Sequence, residues 1–314
     1  MSRSEFYYDS SDGITTIHAI KWIPDNEIKA VLQISHGMLE HMERYDDFAA
    51  YMAEQGILTV GNDHLGHGSS IISEEKRGYF HEYDGNRALL DDMHTLLDIV
   101  KDEYEDVPYF ILGHSMGSFL TRQFVTEYGN EFDGAIISGT GQQSLGLIKF
   151  GIFVTKLIAS FKGWNYRSKF VDFLAVGMNN NKFKPARTKF DWLTRDDDIV
   201  DNYIADSRIQ FIFTLNGFYN LFSGILKMNE QERLERIPKE FPMIFLSGDM
   251  DSVGNFGKDV EKTFNLYKNL GMKNISMKLY KGDRHEILNE LDREQIYEDI
   301  LLWISELIIE DELI

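Results

Sequence analysis

One serine in this chain stands where a hydroxyl can be made nucleophilic. Ser115 lies between an apolar run, Tyr109 to Leu112, and a helical pattern from Phe119 to Tyr128. The run reads as a short buried strand. Gly113 and Gly117 flank the serine in the spacing Gly-x-Ser-x-Gly. Glycines at both flanks let strand and helix approach closely and hold the serine on a tight, strained turn. The hydroxyl then stands at a helix N-terminus, where developing negative charge is stabilised. A bare Gly-x-Ser-x-Gly also arises by chance; its place between strand and helix is what points to acyl transfer.

A serine hydroxyl is a poor nucleophile until a neighbouring base takes its proton. On this kind of turn the acid and then the histidine follow the serine along the chain. Of nine histidines only His285 comes after Ser115, in Tyr280-Lys-Gly-Asp-Arg-His-Glu286, a loop just beyond a strand. The acid that orients the imidazole should come from another strand end. Leu246-Ser-Gly-Asp-Met-Asp-Ser-Val253 offers Asp251, with Asp249 as the alternative; capping the turn is the other role open to Asp249. The tetrahedral intermediate needs backbone donors, for which Met116 N–H and Met38 N–H, in His36-Gly-Met38, are the candidates.

The surrounding motifs read as support. His36 and His41 brace the oxyanion loop, and Glu40 with Arg44 either holds it or forms a surface ion pair. His64-x-x-His67 beside Asp63 has tolerable ligand spacing but no further ligands in a matched frame. Gly66 and Gly68 read instead as turn residues, with Asp63 and Ser69 closing the turn. Neither a dinucleotide glycine pattern nor a phosphate loop is present, so no metal or cofactor is expected.

The elements that must position these residues alternate. Strands are expected at Glu5–Ser10, Ile14–Ile23, Lys29–Ser35, Ile57–Gly61, Tyr109–Leu112, Gly134–Ser138, Pro242–Ser247 and Ile275–Tyr280. Helices are expected near 43–55, 85–104, 119–128, 256–269 and 293–309. Such alternation implies an α/β fold with a mostly parallel sheet and helices on both faces. Residues 141–236 interrupt it with apolar and basic helical pieces, which sets a core of 1–140 and 237–314 apart from a helical cap.

Composition narrows the function classes. A length of 314 residues suits one large α/β domain with an insertion. No cysteine is present, so disulfides, thiolate metal sites and a cysteine nucleophile are excluded. The N-terminus has no apolar signal core, and no apolar run approaches the ~18 residues of a membrane span, so a cytoplasmic, soluble protein is expected. The net charge of −19 argues against a nucleic-acid partner. Residues 141–195 nonetheless hold ten basic and two acidic residues, which marks a segment with its own task.

Together, these motifs resemble the α/β-hydrolase superfamily, and within it the monoacylglycerol lipase/lysophospholipase group of serine aminopeptidase-like hydrolases. The matching residues are His36-Gly-Met-Leu-Glu-His41 with Arg44-Tyr45, Asp63-His-Leu-Gly-His-Gly-Ser69, Gly113-His-Ser-Met-Gly117, Gly248-Asp-Met-Asp251 and Gly282-Asp-Arg-His-Glu286. The resemblance implies Ser115, Asp251 and His285 as a triad and the Met38 and Met116 amides as the oxyanion hole. Phe190-Asp-Trp-Leu-Thr-Arg-Asp196 also resembles a segment of bacterial members' caps. Elsewhere in the cap the likeness is weak.

The expected substrate is a small-molecule acyl ester, a monoacylglycerol or lysophospholipid. Leu145 to Phe161 is mostly apolar, with Lys149 and Lys156 seven apart on one helix face. Part of this surface should roof the site, and the rest could touch a membrane or micelle with its lysines at the headgroups. The alternative is that the basic segment pairs with the acidic body. An aminopeptidase or amidase would need an acidic anchor in the pocket, and a non-catalytic binding protein would have no use for a nucleophile, acid and base together.

Overall fold

Successive residues of a strand point to opposite sides of its sheet, so a sheet covered on both faces needs apolar residues at every position. The computed structural model, which describes residues 1–312, has eight strands. These are β1 (Ser2–Asp9), β2 (Thr16–Ile23), β3 (Ala30–Ser35), β4 (Ile57–Asn62), β5 (Tyr109–His114), β6 (Gly134–Ser138), β7 (Met243–Gly248) and β8 (Ile275–Tyr280). They form one sheet in the order β1-β2-β4-β3-β5-β6-β7-β8. β2 runs antiparallel to both β1 and β4, and the remaining pairs are parallel. β3 through β7 are buried at every residue.

The α-helices outside the segment between β6 and β7 are α1 (Asp46–Glu54), α2 (Gly85–Glu103), α3 (Met116–Tyr128), α9 (Lys258–Asn269) and α10 (Arg293–Glu312). The period of two sorts the core into layers. Ile111, Ala135 and Phe245 pack with α2, α3 and α9 on one face. Their chain neighbours Leu112, Ile136 and Leu246 pack with α1 and α10 on the other. This is the α/β-hydrolase fold that the alternation implies.

Three of the element boundaries that differ from the sequence pattern do so for local reasons. β1 begins at Ser2, not Glu5, because backbone pairing of Ser2 with Ile23 extends it through exposed polar residues. β2 starts at Thr16, not Ile14, because the Asp12 carboxylate accepts from Ile14 N, Thr15 N and Thr15 Oγ1 and keeps them in the turn. α3 starts at Met116, not Phe119, since Ser115 O already accepts from Ser118 N and Phe119 N.

Between β6 and β7 the chain adds no strand but five α-helices: α4 (Leu145–Lys162), α5 (Lys169–Val176), α6 (Asp197–Ala205), α7 (Leu215–Lys227) and α8 (Gln231–Leu234). α4 turns Ile148, Gly151, Val154, Thr155 and Ala159 inward, with Gly151 against the Phe222 ring of α7. Its other side exposes Leu147, Phe150, Phe153, Leu157 and Phe161, the last 81% accessible. Among the described residues no helix is long and apolar enough to cross a membrane.

The turn that carries Ser115 tolerates no extra atom. A methyl added at Gly117 would overlap the carbonyl oxygen of Ser35 on β3, and one at Gly113 would overlap Thr121 Oγ1. The Ser35 oxygen belongs to backbone held in a central strand, so it cannot step aside. Gly117→Ala is therefore expected to destabilise the fold by about 4 kcal/mol or more, read from urea unfolding midpoints. A wild-type midpoint would contradict the close approach described.

Candidate active site

Ser115 joins the last residue of β5 to the first of α3 with φ 53° and ψ −114°. A non-glycine residue in this region carries strain of about 1–3 kcal/mol and persists only where its surroundings hold it. Ser115 N donates to Ser138 O at 3.0 Å, and Ser115 O accepts from the Ser118 hydroxyl at 2.6 Å. The side chain opens into a cavity of about 640 Å³ that Met38, Met116, Trp192 and His285 also line. Apolar side chains on its walls include Phe119, Ile148, Phe222 and Ile225. The Met38 and Met116 amides donate to no protein acceptor among the described residues.

His285 follows β8 and is buried; its Nδ1 lies 3.0 Å from Asp251 Oδ1. Asp251 follows β7 and is fully buried. Its Oδ1 also accepts from Val253 N at 2.8 Å, and its Oδ2 from Ser247 Oγ at 3.2 Å. Burial works against ionisation of both groups. Their mutual attraction more than offsets it, so His285 sits above its ordinary pKa and Asp251 below. Asp249, the alternative acid, accepts from Gly282 N at 2.7 Å and so braces the turn after β8. With Nδ1 committed to Asp251, Nε2 is the nitrogen left to take a proton.

A buried ion cluster fixes the loop between β3 and α1. Arg44 grips Glu286 with both arms, at 2.9 and 2.7 Å, and also reaches Glu40 at 2.9 Å. Glu40 in turn accepts from Gly37 N and from Tyr45 OH. Burial pushes Glu40 up to about 7, while the paired contacts from Arg44 hold Glu286 down at about 2. The Glu40–Arg44 pair is thus an interior clamp and not a surface one; it links the Met38 loop to the residue after His285.

The histidines of this region act as struts. His36 Nε2 accepts from His64 N at 2.9 Å, and His41 Nε2 lies 2.8 Å from Asp206 Oδ2. The His64 and His67 rings pack on His36 at 4.3 and 5.1 Å, and burial lowers them to about 3 and about 4. Asp63 accepts from Ser69 N at 2.8 Å and from Met42 N at 2.8 Å, closing the 63–69 turn against the same loop.

The known proteins similar to this chain fall on the same ground. The family model described as serine aminopeptidase S33 (Hydrolase_4) matches residues 26–292. The chain belongs to this family. A monoacylglycerol lipase of Mycolicibacterium smegmatis is 24% identical over 304 residues, covering 96% of this chain and 97% of its own. A thermostable carboxyl esterase from Bacillus coagulans, solved with glycerol, superposes with TM-score 0.90 at 28% identity, over 98% of this chain and 99% of that one. A soluble variant of the Saccharomyces cerevisiae monoglyceride lipase, solved with a substrate analog, shares the fold at TM-score 0.77 and 19% identity, over 98% and 95%. The chain is an α/β-hydrolase of the monoacylglycerol lipase-like group, and the family supports ester hydrolysis.

On this S33 scaffold the structure brings Ser115, His285, Met38 and Met116 to one cavity, with Asp251 directly behind His285. Sequence reasoning missed three residues there. His114 packs its ring 4.8 Å from His285, and burial beside that ring lowers it to about 3. Trp192, from the inserted segment, covers His285 from another side at 5.1 Å. Tyr203 of α6 lies under Arg44, 4.9 Å from its guanidinium. The one signal available for Trp192 was the Phe190–Asp196 likeness to other caps.

Proposed function

We propose that this chain is a serine hydrolase of carboxylic esters that works through an acyl-enzyme. The observation that carries the reading is the His285–Asp251 pair and the strained Ser115 opening on one apolar cavity beside two unpaired amides. His285 Nε2 takes the Ser115 proton as Oγ adds to the ester carbonyl, and Asp251 stabilises the imidazolium. The Met38 and Met116 N–H groups receive the oxyanion. Collapse expels the alcohol, which takes the proton back from His285. Water then repeats the sequence on the acyl-enzyme and releases the acid.

The substrate class is a medium- or long-chain monoester, a monoacylglycerol or lysophospholipid, on the strength of the apolar cavity walls. Residues 141–236 serve as its cap. Each methylene buried on the way to the transition state is worth about 0.8 kcal/mol. Specificity, kcat/KM, for p-nitrophenyl esters should therefore climb by at least about 100-fold from acetyl to octanoyl. A maximum at acetyl with no octanoyl turnover would overturn the lipid reading. The aminopeptidase reading gains little. Glu40 and Glu286 are spent on Arg44, and Asp172, the other carboxylate on the cavity wall, is half-buried; burial raises its pKa, and the nearby Lys189 charge only partly opposes that rise.

The exposed side of α4 suits transient contact with a lipid surface. Phe153, Leu157 and Phe161 point outward, and Lys149, Lys156 and Lys162 form no ion pair among the described residues. Within 141–195 the basic residues that do meet acids are arginines, Arg187 with Asp197 and Arg195 with Asp283. A Phe153→Ser, Phe161→Ser double variant should lose most co-sedimentation with anionic phosphatidylglycerol vesicles and keep its turnover of soluble butyrate ester. Unchanged co-sedimentation would rule this surface out.

A further inference from the structure

The insertion between β6 and β7 is attached to the rest of the molecule in two different ways. α4 and α5 rest on their neighbours through apolar packing and leave Phe153, Phe161, Phe170 and Phe173 exposed. The stretch 191–196, by contrast, is laced to the loop that carries His285. His285 N donates to Trp192 O at 3.3 Å, and Glu286 N to Leu193 O at 2.7 Å. Thr194 Oγ1 donates to Asn289 O at 2.8 Å, and Arg284 Nη1 to Thr194 O at 3.0 Å.

Arg195 is the charged centre of this lacing. Its backbone N–H meets the Glu290 carboxylate at 3.2 Å, and its Nε meets the same group at 2.8 Å. Its Nη2 reaches both Asp283 and Asp292. Asp283 and Glu290 are fully buried, while Arg195 is 28% accessible. These three carboxylates lie close enough together to hold a cation, and the guanidinium takes that place.

Asp283 stands two residues before the histidine. Its carbonyl oxygen accepts from Met250 N at 2.9 Å, one residue before Asp251. The Arg195 guanidinium therefore ties two buried carboxylates of the base's loop to the insertion, at a point where that loop also touches the loop of the acid. Removing it would leave two buried carboxylates adjacent and uncompensated, and their repulsion would act directly on the loop.

We propose that Arg195 is a positioning residue for His285: from within the insertion it clamps Asp283 and Glu290, and so holds the imidazole between Asp251 and the Trp192 ring. The proposal rests on the reading of Ser115, His285 and Asp251 as a triad. In consequence the 191–196 stretch of the insertion belongs functionally to the catalytic core.

The test compares full-length Arg195→Met and Arg195→Lys with wild type on soluble p-nitrophenyl butyrate, below each variant's unfolding midpoint. Active sites are counted by fluorophosphonate titration. Arg195→Met should lower kcat per active site by roughly 30- to 100-fold, as a base displaced by about 1 Å would, with KM within about threefold. Arg195→Lys, which keeps the charge but not the fork, should recover at least part of that loss. A merely structural Arg195 would lower the unfolding midpoint and leave kcat per site unchanged, and that result overturns the proposal. Should Arg195→Met not fold, Arg195→Lys carries the test alone: a fall in kcat per active site with KM intact supports the clamp, and wild-type kcat overturns it. Failure of the triad itself reads differently, since Ser115→Ala would then retain wild-type turnover whatever Arg195 does.

Discussion

Ser115→Ala should reduce ester turnover by on the order of 10⁶-fold and abolish covalent capture by a fluorophosphonate probe. On the proposed mechanism the loss is this large because serine, base and acid act as one unit, so removing the nucleophile leaves nothing for His285 to activate. What survives is the contribution of binding and of the Met38 and Met116 amides, which could still stabilise attack by water. The variant should fold normally. Ser115 takes its strained φ of 53° from the flanking backbone contacts, and alanine leaves those contacts in place. Equal unfolding midpoints beside a collapsed kcat would assign the effect to chemistry. Probe labelling that persists in the variant, at another serine, would move the nucleophile elsewhere.

Much of this arrangement was written locally in the chain. The Ser115 turn is legible because its glycines and its flanking strand and helix all lie within about twenty residues. The sheet is legible because parallel strands covered on both faces, such as β5 and β7, read as near-continuous apolar runs. The inserted segment is another matter. Trp192 and Arg195 act through partners more than 90 residues away, Trp192 through His285 and Arg195 through Glu290. Nothing in the spacing distinguishes Glu290 from a solvated loop carboxylate. The Glu40–Arg44 pair was readable as a neighbour pair, but Glu286 completes the cluster from 242 residues away and decides that it is interior. The basic stretch 141–195 gave one charge sum where the structure has two populations. Arg187 and Arg195 are paired with acids, and lysines such as Lys149 and Lys156 are not. A net charge cannot separate them, because it carries no information on reach or geometry.

Asp251→Asn should lower kcat by about 10⁴-fold while leaving Ser115 and His285 in place. Two effects act together. The asparagine amide can donate to His285 Nδ1, which stabilises the tautomer with its proton on Nε2, where it cannot accept from the serine. The variant also lacks the charge that stabilises the imidazolium. The pH profile separates this from simple damage. In the wild type the Asp251 carboxylate holds the His285 pKa above its ordinary value, so activity falls as pH drops through that raised pKa. Without the carboxylate, burial acts unopposed and favours the neutral ring. The acid limb of the residual activity should therefore move to lower pH. Asp249→Asn is the matched control, because Asp249 binds Gly282 N and makes no contact with His285. Its loss should stay within about tenfold, with the acid limb unmoved. An Asp249 variant as costly as the Asp251 variant would mean that the carboxylate 3.0 Å from the imidazole is not the one that orients it during the reaction.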